Sequence, residues 1–206
     1  IGVSQGSPYF PLIVPNDPSP DNASSNTDLR HQFSISYLYD LPLGRGRPYG
    51  SDMSGVGQAL LGNWQLSGIA RIRTGFPLGL TTPFFDASGA GLSTGNRPDR
   101  ICDGSGPETA EQWFNTNCFP FVFGALGNSG RAVLSGPGQV NFDFSLLKSI
   151  PLQEPLRLEF RAEIFNIFNH AQFSQPDTDP LSGGFGSVVK TTNTSRQIQF
   201  ALKLIF

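Results

Sequence analysis

Apolar and polar residues alternate with a period of two in five stretches of this chain. In the first, from residue 30, His31, Phe33, Ile35, Tyr37 and Tyr39 fall on one face, with Gln32, Ser34, Ser36 and Asp40 on the other. In the second, 63–76, Trp64, Leu66, Ala70 and Ile72 oppose Gln65, Ser67, Arg71 and Arg73. The third, 139–148, sets Val140, Phe142, Phe144 and Leu146 against Asn141, Asp143 and Ser145. The fourth aligns Leu156, Leu158, Phe160, Ala162 and Ile164 against Arg157, Glu159, Arg161 and Glu163. The fifth closes the chain with Ile198, Phe200, Leu202, Leu204 and Phe206 opposite Gln197, Gln199 and Lys203. A period of two predicts strands with unlike faces. By composition 157–164 also suits a helix. A helix would scatter the four charges around its circumference, whereas a strand keeps them in one file, so a strand is predicted.

The connections are uneven. Residues 1–29 read as a loop-like segment, dense in breakers from Pro15 to Asn22. A Pro/Gly-rich stretch, 41–48, follows the first strand. The region 77–137 is long, irregular and rich in Gly, Asn and Asp, and loops of that length are usually functional. A short turn at 151–155 joins the third and fourth strands. A second long loop covers 169–194, with a strand extension expected at 185–190.

The strands run to about 10 residues, against about 5–6 in globular sheets. That length, with apolar-out and polar-in alternation, lets a tilted strand cross a bilayer. Short turns on one side and long loops on the other fit outer-membrane barrels. Tyr37, Tyr39, Trp64, Phe168 and Phe206 lie where interfacial aromatic girdles are expected. A secreted β-sandwich also alternates, but its strands rarely end flush with a terminal Phe after five alternating apolar positions. The predicted fold is therefore all-β: an antiparallel, up-and-down transmembrane β-barrel segment of five long strands.

Composition narrows the function. The 206 residues carry 14 Lys plus Arg against 16 Asp plus Glu, a net charge of -2, too balanced to suggest a nucleic-acid partner. Charged residues make up 15%, against roughly 25% in ordinary soluble domains. No apolar run approaches the roughly 18 residues of a membrane helix. With no initiator Met and no leader at Ile1, the chain is expected to begin inside a longer reading frame or after processing. Cys102, Cys118, His31 and His170 stand at no metal-ligand spacing. No Ser, Cys or His lies in a nucleophile setting, and Gly44-Arg45-Gly46 lacks the strand–loop–helix order of a phosphate cradle. Neither enzyme chemistry nor a cofactor is expected. His170 reads as a loop-capping polar residue rather than a substrate or metal contact.

Several motifs then occur in order. They are Asp28-Leu29-Arg30-His31, Leu41-Pro42 with Gly44 and Gly46, Gly62-Asn63-Trp64-Gln65-Leu66-Ser67-Gly68, and Thr74-Gly75-Phe76-Pro77. Next come Asn96-Arg97-Pro98-Asp99, Trp113-Phe114-Asn115, and Gly136-Pro137-Gly138 before Asn141 and Asp143. The most specific is Phe160-Arg161-Ala162-Glu163-Ile164-Phe165-Asn166-Ile167-Phe168-Asn169-His170, and Arg196 to Phe206 closes the series. From about Asp28 to Phe206 the chain resembles the C-terminal barrel of TonB-dependent outer-membrane receptors, in the Oar-like branch.

The resemblance implies a barrel of roughly 22 strands with an internal plug, opened by energy from an inner-membrane complex and taking up a large or scarce substrate. Five strands fall short of the roughly eight of the smallest barrels, so a fragment, 30–206, of a larger barrel is expected. Its partners would be outer-membrane lipid, a plug domain and TonB complex through parts absent here, the barrel assembly machinery and an unidentified substrate. Arg71, Arg73, Asn141, Asp143, Arg157, Glu159, Arg161 and Glu163 are expected to face the lumen, their charges paired across strands. Phe200, Leu202, Leu204 and Phe206 would form the C-terminal assembly signal. Cys102 and Cys118 fall in a region placed outside the cell, where a disulfide is permitted; two free thiols are the alternative. In a bacterium the Asn22-Ala23-Ser24 and Asn193-Thr194-Ser195 sequons are incidental. A non-transporting adhesion barrel and a secreted sandwich module remain as other functions.

Overall fold

A computed structural model describes residues 19–83, 86, 88, 89, 91 and 95–206. Of the segment expected to be loop-like, residues 1–18 lie outside the described residues; the rest holds a single 3-10 turn at Ser19–Asp21. The strands are β1 (Gln32–Asp40), β2 (Trp64–Arg73), the two-residue β3 (Pro77–Leu78) and β4 (Leu134–Ser135), then β5 (Gln139–Gln153), β6 (Leu156–Phe165) and β7 (Gln197–Ile205). A short helix, α1 (Gly55–Leu61), precedes β2.

The long strands form one open antiparallel sheet in the order β1-β2-β5-β6-β7. They are 9, 10, 15, 10 and 9 residues long, as a tilted membrane crossing requires. Register carries each side-chain parity across the sheet, although Lys148 lies on the apolar face and Leu38, Ile69 and Leu147 on the polar one. Ile35 pairs with Ala70 and Ala70 with Phe142, while Lys148 pairs with Phe160 and Phe160 with Leu202. On the other face Arg71 pairs with Asn141, and Ser145, Glu163 and Gln199 form one row.

β5 outruns its predicted end at 148 and continues through Pro151. Pro151 marks a break in sequence because it has no N–H to give a ladder. The N–H of Ser149 donates toward β2, to Asn63 O at 3.1 Å. Two residues on, the nitrogen of Pro151 points the same way, past the end of β2 at Trp64. The missing donor therefore costs no ladder bond, and the turn contracts to Glu154 and Pro155. The connection 41–63 leaves the sheet at this same end, so it departs from the expectation of short turns there. Its helix was not legible because seven residues between glycines show no repeated period.

The chain gathers into two compact units. One is the sheet unit, His31–Arg73, Gln139–Gln172 and Asn193–Phe206; the other joins the segment ending at Arg30 to Thr74–Gly138 and Phe173–Thr192. They are built on opposite plans. In the sheet unit the apolar residues point out: Phe200 is 70% and Leu202 67% exposed. Tyr37, expected at a strand end, instead lies within β1 opposite Gly68. A Cβ on Gly68 would meet the Tyr37 hydroxyl at 2.6 Å, so the ring covers the glycine on the apolar face.

The second unit buries its apolar residues. Leu80, Phe114, Cys118 and Phe119 form its core, with Trp113, Val133, Leu134 and Phe185 packed around them. Phe114 meets Phe119 and Phe185 edge to face, with centroids 5.8 and 5.2 Å apart, the geometry aromatic quadrupoles favour. Gly104 adopts φ +86, and a Cβ there would meet the Phe119 ring at 2.6 Å. The described part of the region 77–137 is thus irregular in secondary structure, as expected, yet it carries a packed core. The strand extension expected at 185–190 is absent. Phe185 N and Ser187 N are spent on turn bonds to Ser182 O and Gly184 O, and Gly186 N reaches back across the loop to Asp177 O, while Phe185 packs against the core.

Candidate functional site

The polar face of the sheet is the first candidate. β6 brings Arg157, Glu159, Arg161 and Glu163 into one file, as the alternation predicted. Their pairing differs from expectation: Arg157 Nε lies 3.4 Å from Glu159 and Arg161 Nη1 3.7 Å from Glu163, along the strand rather than across it. Across the strands, Gln199 donates to Glu163 and Gln65 donates to Asp40 at 2.7 Å. Arg71, Asp143, Arg161 and Glu163, with Leu38, Ile69, Leu147 and Phe165 between them, line a concavity of about 870 Å³ on this face. Both signs of charge are present, so the wall suits a polar surface better than a solute of one charge. Asn141 donates to Asp143 at 2.9 Å, and Arg73 stands at the far end of β2 opposite Gln139.

The Phe165-Asn166-Ile167-Phe168-Asn169-His170 run closes β6. Asn166 and Asn169 both take φ 52, a left-handed conformation that Asn tolerates better than other non-glycine residues. The buried Asn166 side chain accepts from His170 N at 2.9 Å and donates to His170 O and Thr194 O. Its own N–H donates to Asp143 at 3.0 Å, and Asn169 Oδ1 accepts from Arg196 N at 2.9 Å. The motif staples β6 to β5 and β7. His170 serves it through its backbone, while its ring contacts Gln172 at 3.0 Å. Among the described residues no group of three or more His, Cys, Asp or Glu is placed to hold a metal. Asn193 of the second sequon is already committed, to Gln172 N and His170 O.

Gln172 was missed in sequence. Beyond the end of β6, its buried side chain takes the place of a strand residue: Oε1 accepts from Val140 N at 2.8 Å, and Nε2 donates to Val140 O.

The second unit holds a different arrangement. Cys102 and Cys118 form a disulfide with Cα atoms 5.0 Å apart, inside the range a bridge requires. Next to it, Asp103 accepts from the Ser105 hydroxyl at 2.9 Å and from Ser105 N at 3.1 Å. Those two bonds, the hydroxyl first, hold the Asp103 carboxyl below its ordinary value. In the Asn96-Arg97-Pro98-Asp99 motif, fully buried Asn96 donates to Ala125 O and accepts from Arg97 N and Gly127 N. Arg97 pairs with Asp21, their side chains only 6% and 8% exposed. Arg97 and Arg131, with Ser24, Asn26 and Gln175, line a cleft of about 220 Å³, small beside the roughly 300–1,000 Å³ of common ligand pockets.

The outer membrane beta barrel domain family matches residues 3–199. The chain belongs to that family. No match is found among curated proteins or among solved structures. Family and sheet together place the chain in a bacterial outer membrane, and Phe33, Ile35, Phe200 and Leu202 are exposed on one face of the sheet. Tyr39 and Trp64 stand at one end of the strands and Phe168 at the other, where it meets Phe142 edge to face at 5.2 Å. This barrel-domain sheet is not closed on itself, consistent with a portion of a larger barrel.

Proposed function

We propose that this sheet is part of the wall of a TonB-dependent receptor of the Oar-like type, a transporter rather than an enzyme. The observation that carries the reading is the polar face. Its Arg157/Glu159 and Arg161/Glu163 pairs neutralise one another along β6, leaving a mixed-charge concavity that fits an internal polar domain. The ordered motifs from Asp28 to Phe206 support the same reading. The disulfide-tied unit supplies folded surfaces, including the Arg97/Arg131 cleft, for first contact with substrate. Phe206, 93% exposed, ends the alternating series proposed as the assembly signal.

The test uses the intact protein. It should bind the purified periplasmic domain of TonB, and single cysteines at positions 71 and 161 should crosslink to a plug domain encoded in the same chain. A barrel that binds no TonB and encloses no plug would refute the transporter reading and favour an adhesion barrel.

A further inference from the structure

The connection 41–63 contains an apolar surface that the sheet does not explain. α1 has no charged residue, and Val56 and Leu60 are 73% and 63% exposed, with Leu61 and Tyr49 also open. Gln58 is turned inward, where its Oε1 accepts from Arg45 N at 2.6 Å. The sequence order therefore produces a helix with its one polar side chain half-buried and its apolar ones displayed.

The helix is tied to the lipid-facing side of the sheet. Trp64 and Lys148 are register partners on the apolar face. The Trp64 indole N–H donates to Leu60 O at 2.8 Å. Lys148 Nζ donates to Gly62 O and lies 5.0 Å over the Trp64 ring. A cation at the helix C-terminus also complements its dipole. Both ties hold the C-terminal end of α1 to the edge of the face that carries Phe160 and Leu202, beside its exposed apolar side chains.

We propose that α1 and Tyr49 form an interfacial membrane anchor, lying in the headgroup–acyl boundary of the leaflet at the Glu154-Pro155 end of the strands. Phospholipid is the partner. A cluster of exposed apolar residues is a liability in water, whereas in-plane helices bury such a face at this boundary. Tyrosine belongs to the same layer. The helix carries no charge, the Lys148 ammonium is turned toward Gly62 and the indole, and Arg47 of the connection pairs with Asp40 at 3.6 Å, so the anchor acts chiefly by apolar burial rather than by attraction to anionic lipid. It would fix the depth of the barrel at that leaflet.

Site-directed quenching in the intact barrel tests this. Cysteines replace Val56, Leu60, Leu202 and Ser51 one at a time, each carrying an environment-sensitive fluorophore. The barrel is embedded in phosphatidylcholine vesicles, with or without phosphatidylglycerol. A nitroxide is placed near the headgroup or near the end of the acyl chain. Probes at 56 and 60 should lose more emission to the shallow nitroxide than to the deep one, and little to aqueous iodide. The probe at 202 should show the opposite depth preference, and the one at 51 should respond to iodide alone. Iodide quenching at 56 and 60 equal to that at 51 overturns the anchor, because the helix then faces water. Quenching by neither agent overturns it too, because protein then covers the patch. A depth that requires phosphatidylglycerol overturns the apolar mechanism. If 202 also escapes both nitroxides, the lipid assignment of the sheet fails with it.

Discussion

Leu202→Arg separates a lipid-facing sheet from one that faces water. Leu202 sits mid-strand in β7, opposite Phe160, and is 67% exposed. If that exposure were to water, the change would be an ordinary surface substitution, within about 0.5 kcal/mol of neutral. Facing lipid near the bilayer midplane, the guanidinium costs roughly 2–4 kcal/mol. That lowers the folded-to-unfolded ratio by about 30- to 700-fold. Gln199→Arg is the matched control, three positions away on the opposite face and beside Glu163. The new cation there gains a carboxylate partner, so its expected cost is near zero. Urea titration of the intact barrel in phospholipid vesicles measures both, with folded fraction read from heat-modifiable gel migration. Equal effects for the two substitutions would refute the facing assigned to every residue of the sheet, since register makes one strand's parity the parity of all.

Other outcomes follow from the second unit. Reducing the Cys102–Cys118 bridge should destabilise that unit by roughly 3 kcal/mol, the chain-entropy value for a loop of this size; limited proteolysis with and without reductant should show faster cleavage within 103–117, and equal rates would count against it. Arg97→Ala should cost about 3–5 kcal/mol by removing the cation that faces the buried Asp21 carboxylate; hydrogen exchange at 95–138 should accelerate, and unchanged protection would contradict the pair. The lowered Asp103 carboxyl stabilises its turn above the ordinary carboxylate range, and the contribution disappears as pH falls through the depressed value. Ser105→Ala should therefore raise the Asp103 titration midpoint toward normal in isotope-edited infrared spectra; an unmoved midpoint would remove the hydroxyl as the leading cause.

The five long strands and their two faces were legible because backbone geometry holds the side-chain period of a strand at two. Arg157, Glu159, Arg161 and Glu163 could be assigned one wall without knowing any neighbour. The order of Asn166, Phe168, Asn169 and His170 marked the end of β6, although its physical content, two left-handed asparagines stapling three strands, lay in backbone angles. The end of β5 was misread because Pro151 is a breaker only where its nitrogen faces a partner. Whether it does depends on where β2 stops, which is a property of the assembled sheet.

The second unit was the least legible. Its apolar residues, Leu80, Phe114, Phe119 and Phe185, come from separate turns with no common period, so nothing local marks them as a core. Arg97 finds Asp21 76 positions away, and Gln172 reaches Val140 across 32. Nor did the run 55–61 show where α1 is held; Trp64 and Lys148, brought together by register, bind its last carbonyls. The chain by itself determined what repeats, because a repeat is written in neighbouring residues. Tertiary structure alone decided the single, long-range contacts, because their free energy exists only once closing the intervening chain has brought the partners together.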